Sequence, residues 1–199
     1  MRVRQLRRPL RRKLRARRHT PIYVVHCHDT HGLHFDFRLE VEGTLIGWCV
    51  PQGLAGDISE GRLARRTEDH PLEYASFEGR IPDGLQGAGT VIVWDGGTYI
   101  NATCDETGRE IPIDQAIEDG YALVELHGKN LRGRYALTRT SVGRHDLWRI
   151  AWAPGQAASE PDGNQEMPRS MLTGRAMHEV EPMAVLSASG RVVHPVQMT

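Results

Sequence analysis

The sequence predicts a mostly β fold, and three observations carry this prediction. Residues 33–40, Leu-His-Phe-Asp-Phe-Arg-Leu-Glu, alternate apolar and polar side chains without a break, which is the period-2 pattern of a half-buried strand. Further short apolar runs are bounded by Gly, Pro and Asp-Gly, which favour turns. A chain of 199 residues, 39% hydrophobic and 25% charged, is long enough for one globular domain with a sizeable core.

Strand patterns follow one another between residues 21 and 153. They cover residues 22–26, 33–40, 45–50, 90–94, 121–126, 134–138 and 147–152. Asp95-Gly96-Gly97 predicts a tight hairpin turn that joins the strand ending at Trp94 to a further strand over 98–102. Residues 114–119 suit a short helical or irregular turn.

The charge of the chain is segregated. Residues 1–18 hold ten Arg or Lys and no acidic residue, which leaves 15 basic against 25 acidic side chains in the rest. We therefore expect a flexible basic arm over 1–20 that docks on a nucleic-acid backbone. A transit peptide, disfavoured by the absence of serine, and a wrongly assigned start codon are the alternatives. Gly, Pro, Ser, Ala and Gln dominate after residue 153, so 154–199 is expected to be a disordered tail.

Cysteine usage and hydropathy point to a cytoplasmic protein. No run of 18 apolar residues and no apolar segment after the basic arm is present, so neither a membrane span nor a secretory signal is expected. The three cysteines, Cys27, Cys49 and Cys104, are widely spaced and indicate neither a disulfide framework nor a zinc knuckle. Cys27 suits a small buried thiol better than a metal ligand.

The polar face of residues 33–40 carries the most specific chemistry. His34, Asp36 and Arg38 project in a row, about 6.6 Å apart. An imidazole and a carboxylate are usual ligands of a divalent cation such as Mn²⁺ or Zn²⁺, and His28 can return across a turn at Gly32 as a third ligand. Arg38 matches a phosphate oxygen pair. The alternative is a solvated strand face on which Asp36 pairs with Arg38.

A second polar cluster lies in residues 62–74. It combines cations with a carboxylate, an imidazole and a phenol, and its residues Arg62, Glu68, His70 and Tyr74 stand in a segment that Pro71 interrupts. This predicts a loop or a strand exit. Glycines crowd 84–89 but lack the ending of a P-loop and the spacing of a dinucleotide fingerprint, so they are expected to serve tight turns.

Several ordered motifs resemble the 3′-phosphoesterase domain found in bacterial DNA ligase D and as stand-alone archaeal and bacterial proteins. They are residues 28–40, Trp48-Cys49-Val50-Pro51, Arg62-Leu63-Ala64, residues 68–74 and residues 77–95. The resemblance covers roughly residues 21–152. It implies a compact β-barrel with a Mn²⁺-dependent site that removes a 3′-terminal ribonucleoside and then the 3′-phosphate from DNA 3′ ends, leaving a 3′-hydroxyl.

The resemblance also implies a role for each matching side chain. His28, His34 and Asp36 hold the metal, and other divalent cations are open alternatives to Mn²⁺. Arg38 and Arg62 contact the scissile phosphate, His70 and Tyr74 complete the phosphate site, and Glu68 is a supporting carboxylate. The implied partners are DNA 3′ ends and a separately encoded ligase or polymerase, at the nucleoid.

Two departures from the family pattern stand out. Gln52 occupies the place of a usual lysine in the turn Val50-Pro51-Gln52-Gly53, and no Asp or Glu precedes Asp29, where the family commonly has an acidic motif. The sequence therefore leaves three functions open. They are an active DNA 3′-end phosphoesterase, a nucleic-acid-binding repair accessory that has lost turnover, and a cupin-like metalloenzyme using His26-Cys27-His28.

Overall fold

A computed structural model describes residues 19–54, 56, 58–142, 146–153 and 168–180. The described residues are mostly strand, as predicted. The strands are β1 (Ile22–Asp29), β2 (Leu33–Val41), β3 (Thr44–Val50), β4 (Arg62–Arg66), β5 (His70–Pro71), β6 (Gly79–Ile81), β7 (Gly89–Asn101), β8 (Tyr121–Gly128), β9 (Arg132–Ser141) and β10 (Leu147–Ala153). The helical elements are α1 (Ile113–Asp119) and two 3₁₀ helices, Leu72–Ser76 and Met177–Glu179. Residues 114–119, for which the sequence allows a helical or an irregular turn, are helical.

Eight of these strands close into an antiparallel barrel. Their order is β1, β2, β3, β4, β10, β9, β8 and β7, and pairing of β7 with β1 closes the ring. The short strands β5 and β6 lie outside the ring and pair with β3 and β7. Closure leaves each ring strand with two hydrogen-bonded neighbours and no free edge. The barrel that the family resemblance implies is confirmed.

Alternation along the strands separates two apolar clusters. The barrel interior takes one parity of β2 and β3, including Phe37, Leu39 and Trp48, all fully buried. On the outer side of β1 and β3, Val24 and Leu45 pack with Val93 and with Tyr74 of the first 3₁₀ helix. That helix therefore covers part of the outer face of the barrel. The polar side chains of β2 lie next to this helix, with Arg38 over the Tyr74 ring.

The predicted hairpin at Asp95-Gly96-Gly97 is wrong, because β7 runs through it without a turn. The Asp95 carboxylate is fully buried and accepts hydrogen bonds from three backbone N–H groups of residues 129–131 and from the Tyr23 hydroxyl. A Cβ on Gly97 would lie 2.2 Å from the His127 carbonyl oxygen. The aspartate and the glycine thus serve contacts with β1 and with the β8–β9 turn, which override the local turn preference.

Several described segments differ from the sequence prediction. The short strands β4, β5 and β6 are not among the expected strands. Residues 168–180, expected within the tail, partly pack against the barrel: the Met171 N–H donates to the Val93 carbonyl at 2.7 Å. The basic residues 1–18 and the remainder of the expected tail, 154–167 and 181–199, lie outside the described residues. In the described ranges, no helix has the length and apolar character needed to cross a bilayer.

Candidate metal and phosphate site

The pairing of β1 with β2 builds a three-residue cluster on the outer face of the barrel. His28 stands directly opposite His34 in the register, with ring centroids 4.8 Å apart. Asp36 follows two residues along the same face of β2. One ligand atom from each of the three side chains lies within 4.8 Å of the others. The chain thus returns across the 30–32 turn as the sequence predicts, while metal binding by these residues stays a prediction.

Backbone carbonyls orient both imidazoles. His28 Nε2 lies 3.0 Å from the Gly87 carbonyl oxygen, and His34 Nδ1 lies 3.3 Å from that of Gly32. A carbonyl only accepts, so each of these nitrogens is the donor, and in the neutral form of each ring the other nitrogen carries the lone pair. Fixing the tautomer of a ligating histidine in this way is the usual work of its outer hydrogen bond. Burial also lowers the pKa of His28, which favours the neutral form that binds metals.

The Gly87 carbonyl gives the glycine-rich segment a use that the sequence does not reveal. Gly87 has φ 74°, a left-handed conformation that glycine adopts without strain. Its carbonyl reaches His28 from a loop 59 residues away in the chain. The prediction that these glycines serve tight turns agrees with the geometry. The spacing of residue types in the sequence cannot predict this contact, because a backbone carbonyl is present at every residue.

A buried guanidinium adjoins the cluster. Arg38 is 3% exposed, and one of its nitrogens donates to the Asp36 carboxylate at 3.1 Å. Another of its nitrogens lies 3.0 Å from His70 Nδ1. A buried cation needs a compensating anion, and Asp36 supplies one. The Asp36–Arg38 ion pair, which the strand pattern offers as an alternative to a metal site, is therefore present within the same cluster.

His70 links Arg38 to the segment that follows β4. Its Nδ1 lies 3.0 Å from both an Arg38 nitrogen and the Glu68 carbonyl oxygen. Arginine only donates and a carbonyl only accepts, so Nδ1 serves one of these partners at a time. When Nδ1 accepts from Arg38, the proton resides on Nε2. Burial and the charge of Arg38 lower the pKa of His70, so the neutral ring is favoured at pH 7.

The aromatic ring of Tyr74 packs against two of these polar groups, His70 and Arg38. Its ring lies 4.6 Å from the His70 ring and stacks on Phe77 at 4.9 Å. The Arg38 guanidinium carbon lies 5.4 Å from the Tyr74 ring centroid, which is within cation–π range. Burial raises the pKa of Tyr74 to about 12. Its hydroxyl therefore keeps its proton near neutral pH and can only donate or accept a hydrogen bond.

His26 also lies on this face of the barrel, next to the cluster. It stands opposite Asp36 in the register, is 1% exposed and lies 5.1 Å from the Tyr74 ring. Burial holds the pKa of His26 well below its ordinary value, with Arg38 adding to the effect. The ring is therefore a neutral packing element between the cluster and Tyr74. Its burial could not be foreseen, because it depends on the 3₁₀ helix that covers it.

Within the described residues, no hydrogen bond or ion pair joins Arg62 or the Glu68 carboxylate to His28, His34 or Asp36. Arg62 begins β4 on the same parity as the core residue Ala64, and the described residues offer no partner to its buried Nε. The Glu68 carboxylate lies 3.4 Å from the Gln86 side-chain nitrogen, while its carbonyl meets His70. Their implied roles at the scissile phosphate stay predictions.

The ligand set implied by a cupin-like enzyme is not assembled. The cluster within the described residues contains His28 but neither His26 nor Cys27. Cys27 follows His26 on the strand, so its side chain leaves by the opposite face, and it is fully buried. Burial also raises the pKa of the Cys27 thiol to about 12. The expectation of a buried thiol thus agrees with the structure.

Fold and site together define a class of protein. A closed antiparallel barrel carries two imidazoles and a carboxylate on its outer face, and a paired arginine, a histidine and a tyrosine adjoin them. Nitrogen and oxygen donors in this combination fit a divalent transition ion. Adjacent cationic and neutral donors fit an anionic oxygen group such as a phosphate. The class is that of a barrel with a candidate metal and phosphate site.

Comparison with known proteins identifies the family. The model of the DNA Ligase D 3′-phosphoesterase domain matches residues 26–139. The chain is 42% identical over 162 residues to the multifunctional non-homologous end joining protein LigD of Pseudomonas aeruginosa, covering 78% of this chain and 18% of that protein. It is 47% identical over 122 residues to the multifunctional non-homologous end joining DNA repair protein LigD of Mycobacterium tuberculosis, covering 61% and 15%. This chain belongs to the DNA ligase D 3′-phosphoesterase domain family, and it spans less than a fifth of the length of these relatives.

Proposed function

We propose that this protein is a divalent-metal-dependent phosphoesterase that heals DNA 3′ ends during break repair by non-homologous end joining. It removes a 3′-terminal ribonucleoside and a 3′-phosphate and leaves a 3′-hydroxyl. The proposal places it in the cytoplasm at the nucleoid, with a separately encoded ligase or polymerase using the healed end. The juxtaposition of His28, His34 and Asp36 with Arg38 carries the proposal.

The cluster suits a metal ion on the chemistry of its donors. Two neutral imidazoles oriented by carbonyls and one carboxylate would hold it, and we favour Mn²⁺ for this mixed nitrogen and oxygen set. Such an ion supplies Lewis-acid polarisation of a phosphoryl oxygen when bound. Each of the three ligand atoms lies within 4.8 Å of the other two, so a single ion can engage all three.

The neighbouring side chains bind and orient the phosphate. Arg38 is held by Asp36 and His70, so its positive charge is already in place as negative charge develops on the phosphoryl oxygens. His70 with its proton on Nε2 donates a hydrogen bond toward the phosphate. The lowered pKa of His70 favours this orienting role over proton donation to the leaving oxygen. Tyr74 packs against the His70 ring and the Arg38 guanidinium. In this proposal, Arg62 contacts the scissile phosphate and Glu68 is a supporting carboxylate.

A catalytically weakened accessory of an end-joining ligase is the second candidate function. It is favoured by Gln52, which brings no charge to a turn that carries lysine in the family. Such a protein keeps the fold and the affinity for DNA ends and lacks turnover.

An end-healing assay separates the two functions. A labelled primer–template ending in a 3′-phosphate or a single 3′-ribonucleotide is incubated with Mn²⁺ or with EDTA and resolved on a gel. We expect conversion to the 3′-hydroxyl with Mn²⁺ and none with EDTA. His34→Ala removes one imidazole and is expected to abolish conversion. His127→Ala makes the same substitution at an exposed site on β8 and is expected to convert normally.

The outcomes point in different directions. Conversion by the unsubstituted protein in EDTA, or by a folded His34→Ala variant at the unsubstituted rate, contradicts the metal-dependent site. Tight and salt-sensitive DNA binding without any conversion supports the accessory instead.

A further inference from the structure

Strand β4 carries three arginines, Arg62, Arg65 and Arg66. Only Arg65 lies on the face of the sheet that bears the metal cluster, because the other two have the opposite parity. Arg66 donates to the Asp69 carboxylate and to the Gly47 and Thr67 carbonyls, and it lies over the Trp48 ring at 5.5 Å. Arg65 points to the opposite face, where it is exposed. Across the described residues, the Arg65 guanidinium makes no hydrogen bond or ion pair. Its charge is therefore available to a ligand.

The sheet register places Arg65 in line with the candidate metal cluster. Asp36 of β2 stands opposite Cys49 of β3, and Cys49 stands opposite Arg65 of β4. Directly opposed residues of antiparallel strands share a face. Two interstrand spacings separate the Asp36 and Arg65 backbones, or about 9.6 Å. A side chain as long as arginine spans much of that distance.

The electrostatics of Cys49 agree with this placement. Burial raises the pKa of the Cys49 thiol and Asp36 raises it further, whereas Arg65 and Arg38 act to lower it. Cys49 thus lies within the fields of both the carboxylate of the cluster and the guanidinium of Arg65. The row Asp36, Cys49 and Arg65 therefore crosses from the cluster over β3 to β4 on one face of the sheet.

We propose that Arg65 binds a backbone phosphate of the DNA strand, inward of the terminal group that occupies the His28, His34 and Asp36 cluster. A strand carries one phosphate per roughly 3.4 Å of helix axis, so a strand whose end is seated at the cluster has further phosphates within the reach of β4. Arg38 cannot serve them, because it is buried and held by Asp36 and His70. Arg65 is a binding residue that acts on affinity for the strand and not on the chemical step. This inference rests on the proposed function.

The test compares three variants on two substrates. Arg65→Ala removes the charge, Arg65→Lys keeps it, and Arg109→Ala removes an exposed arginine from the loop after β7, the end of that strand remote from its pairing with His28. On a 3′-phosphate primer–template with Mn²⁺, we expect Arg65→Ala to raise KM about tenfold with kcat unchanged. Arg65→Lys and Arg109→Ala are expected to stay within about twofold of the parent. On a deoxynucleoside 3′-phosphate, which has no inward phosphate, all four proteins are expected to be equal.

Binding without turnover gives the second readout. In EDTA, the slope of log affinity against log salt for the same DNA is expected to fall by about 0.7–0.9 in Arg65→Ala, the amount for one phosphate contact. A KM and a salt slope equal to those of Arg109→Ala overturn the inference while the phosphoesterase proposal stands. An Arg65→Ala defect of equal size on the deoxynucleoside 3′-phosphate also overturns it. Absence of turnover in the parent protein contradicts the proposed function instead, and the salt slope then decides on Arg65 alone.

Discussion

Asp36→Asn is expected to lower metal-dependent release of the 3′ end group at least about 100-fold while the protein stays folded. Asp36 has two tasks in one carboxylate: it belongs to the candidate metal cluster, and it accepts a hydrogen bond from Arg38 at 3.1 Å. An amide keeps the size and one accepting oxygen but loses the charge. The variant therefore weakens the metal site while leaving an acceptor for the buried guanidinium.

The choice of asparagine keeps this prediction testable. Asp36→Ala removes the partner of a buried cation, and breaking a buried pair in this way costs about 3–5 kcal/mol of stability, so loss of activity in that variant is open to a folding explanation. The measurements are the rate of the gel assay, Mn²⁺ binding by calorimetry and the circular dichroism spectrum. Asp83→Asn is the matched control, because Asp83 is exposed and its ion pair with Arg80, at 3.7 Å, is also exposed. Undiminished turnover by folded Asp36→Asn contradicts the role given to Asp36.

The candidate site was largely predictable because β2 is periodic. Alternation over residues 33–40 assigns His34, Asp36 and Arg38 to one face without reference to any other part of the chain. The return of His28 beside His34 needs only a tight turn, and the structure has it in register. Local pattern was sufficient here because the interacting residues lie on two consecutive strands.

Residues whose environment comes from distant segments were less predictable. The Gly87 carbonyl on His28 and the 3₁₀ helix over His26 join parts of the chain that pattern cannot align. β4 lacks clear alternation because its three arginines occupy both faces, and tertiary pairing with β3 and β10 decides its conformation. The position of Arg65 is unpredictable for the same reason, since only the register across three strands shows where it lies.

The wrong prediction of a hairpin at Asp95 has the same cause. The long-range contacts of Asp95 also make it a residue whose substitution is expected to have a large effect on stability. Asp-Gly is a strong local turn signal, but here the Asp95 carboxylate is buried and accepts from the N–H groups of Lys129, Asn130 and Leu131 at 3.1, 3.0 and 2.9 Å and from the Tyr23 hydroxyl at 2.6 Å. The side chain organises the turn between β8 and β9 and connects it to β1. Burial and this carboxylate raise the pKa of Tyr23, so the phenol stays a donor.

Asp95→Ala is expected to lower the free energy of unfolding by about 3–5 kcal/mol, because it leaves buried donors without an acceptor. Asp95→Asn keeps one accepting oxygen and is expected to lose less. Urea unfolding followed by circular dichroism measures both, with the midpoint falling and the slope unchanged if the transition stays two-state. Asp83→Ala, at an exposed loop position, is expected to change the free energy by no more than about 0.5 kcal/mol. A loss in Asp95→Ala as small as that of Asp83→Ala contradicts the argument, since it means that the three N–H groups find other acceptors and that the carboxylate does not hold the turn.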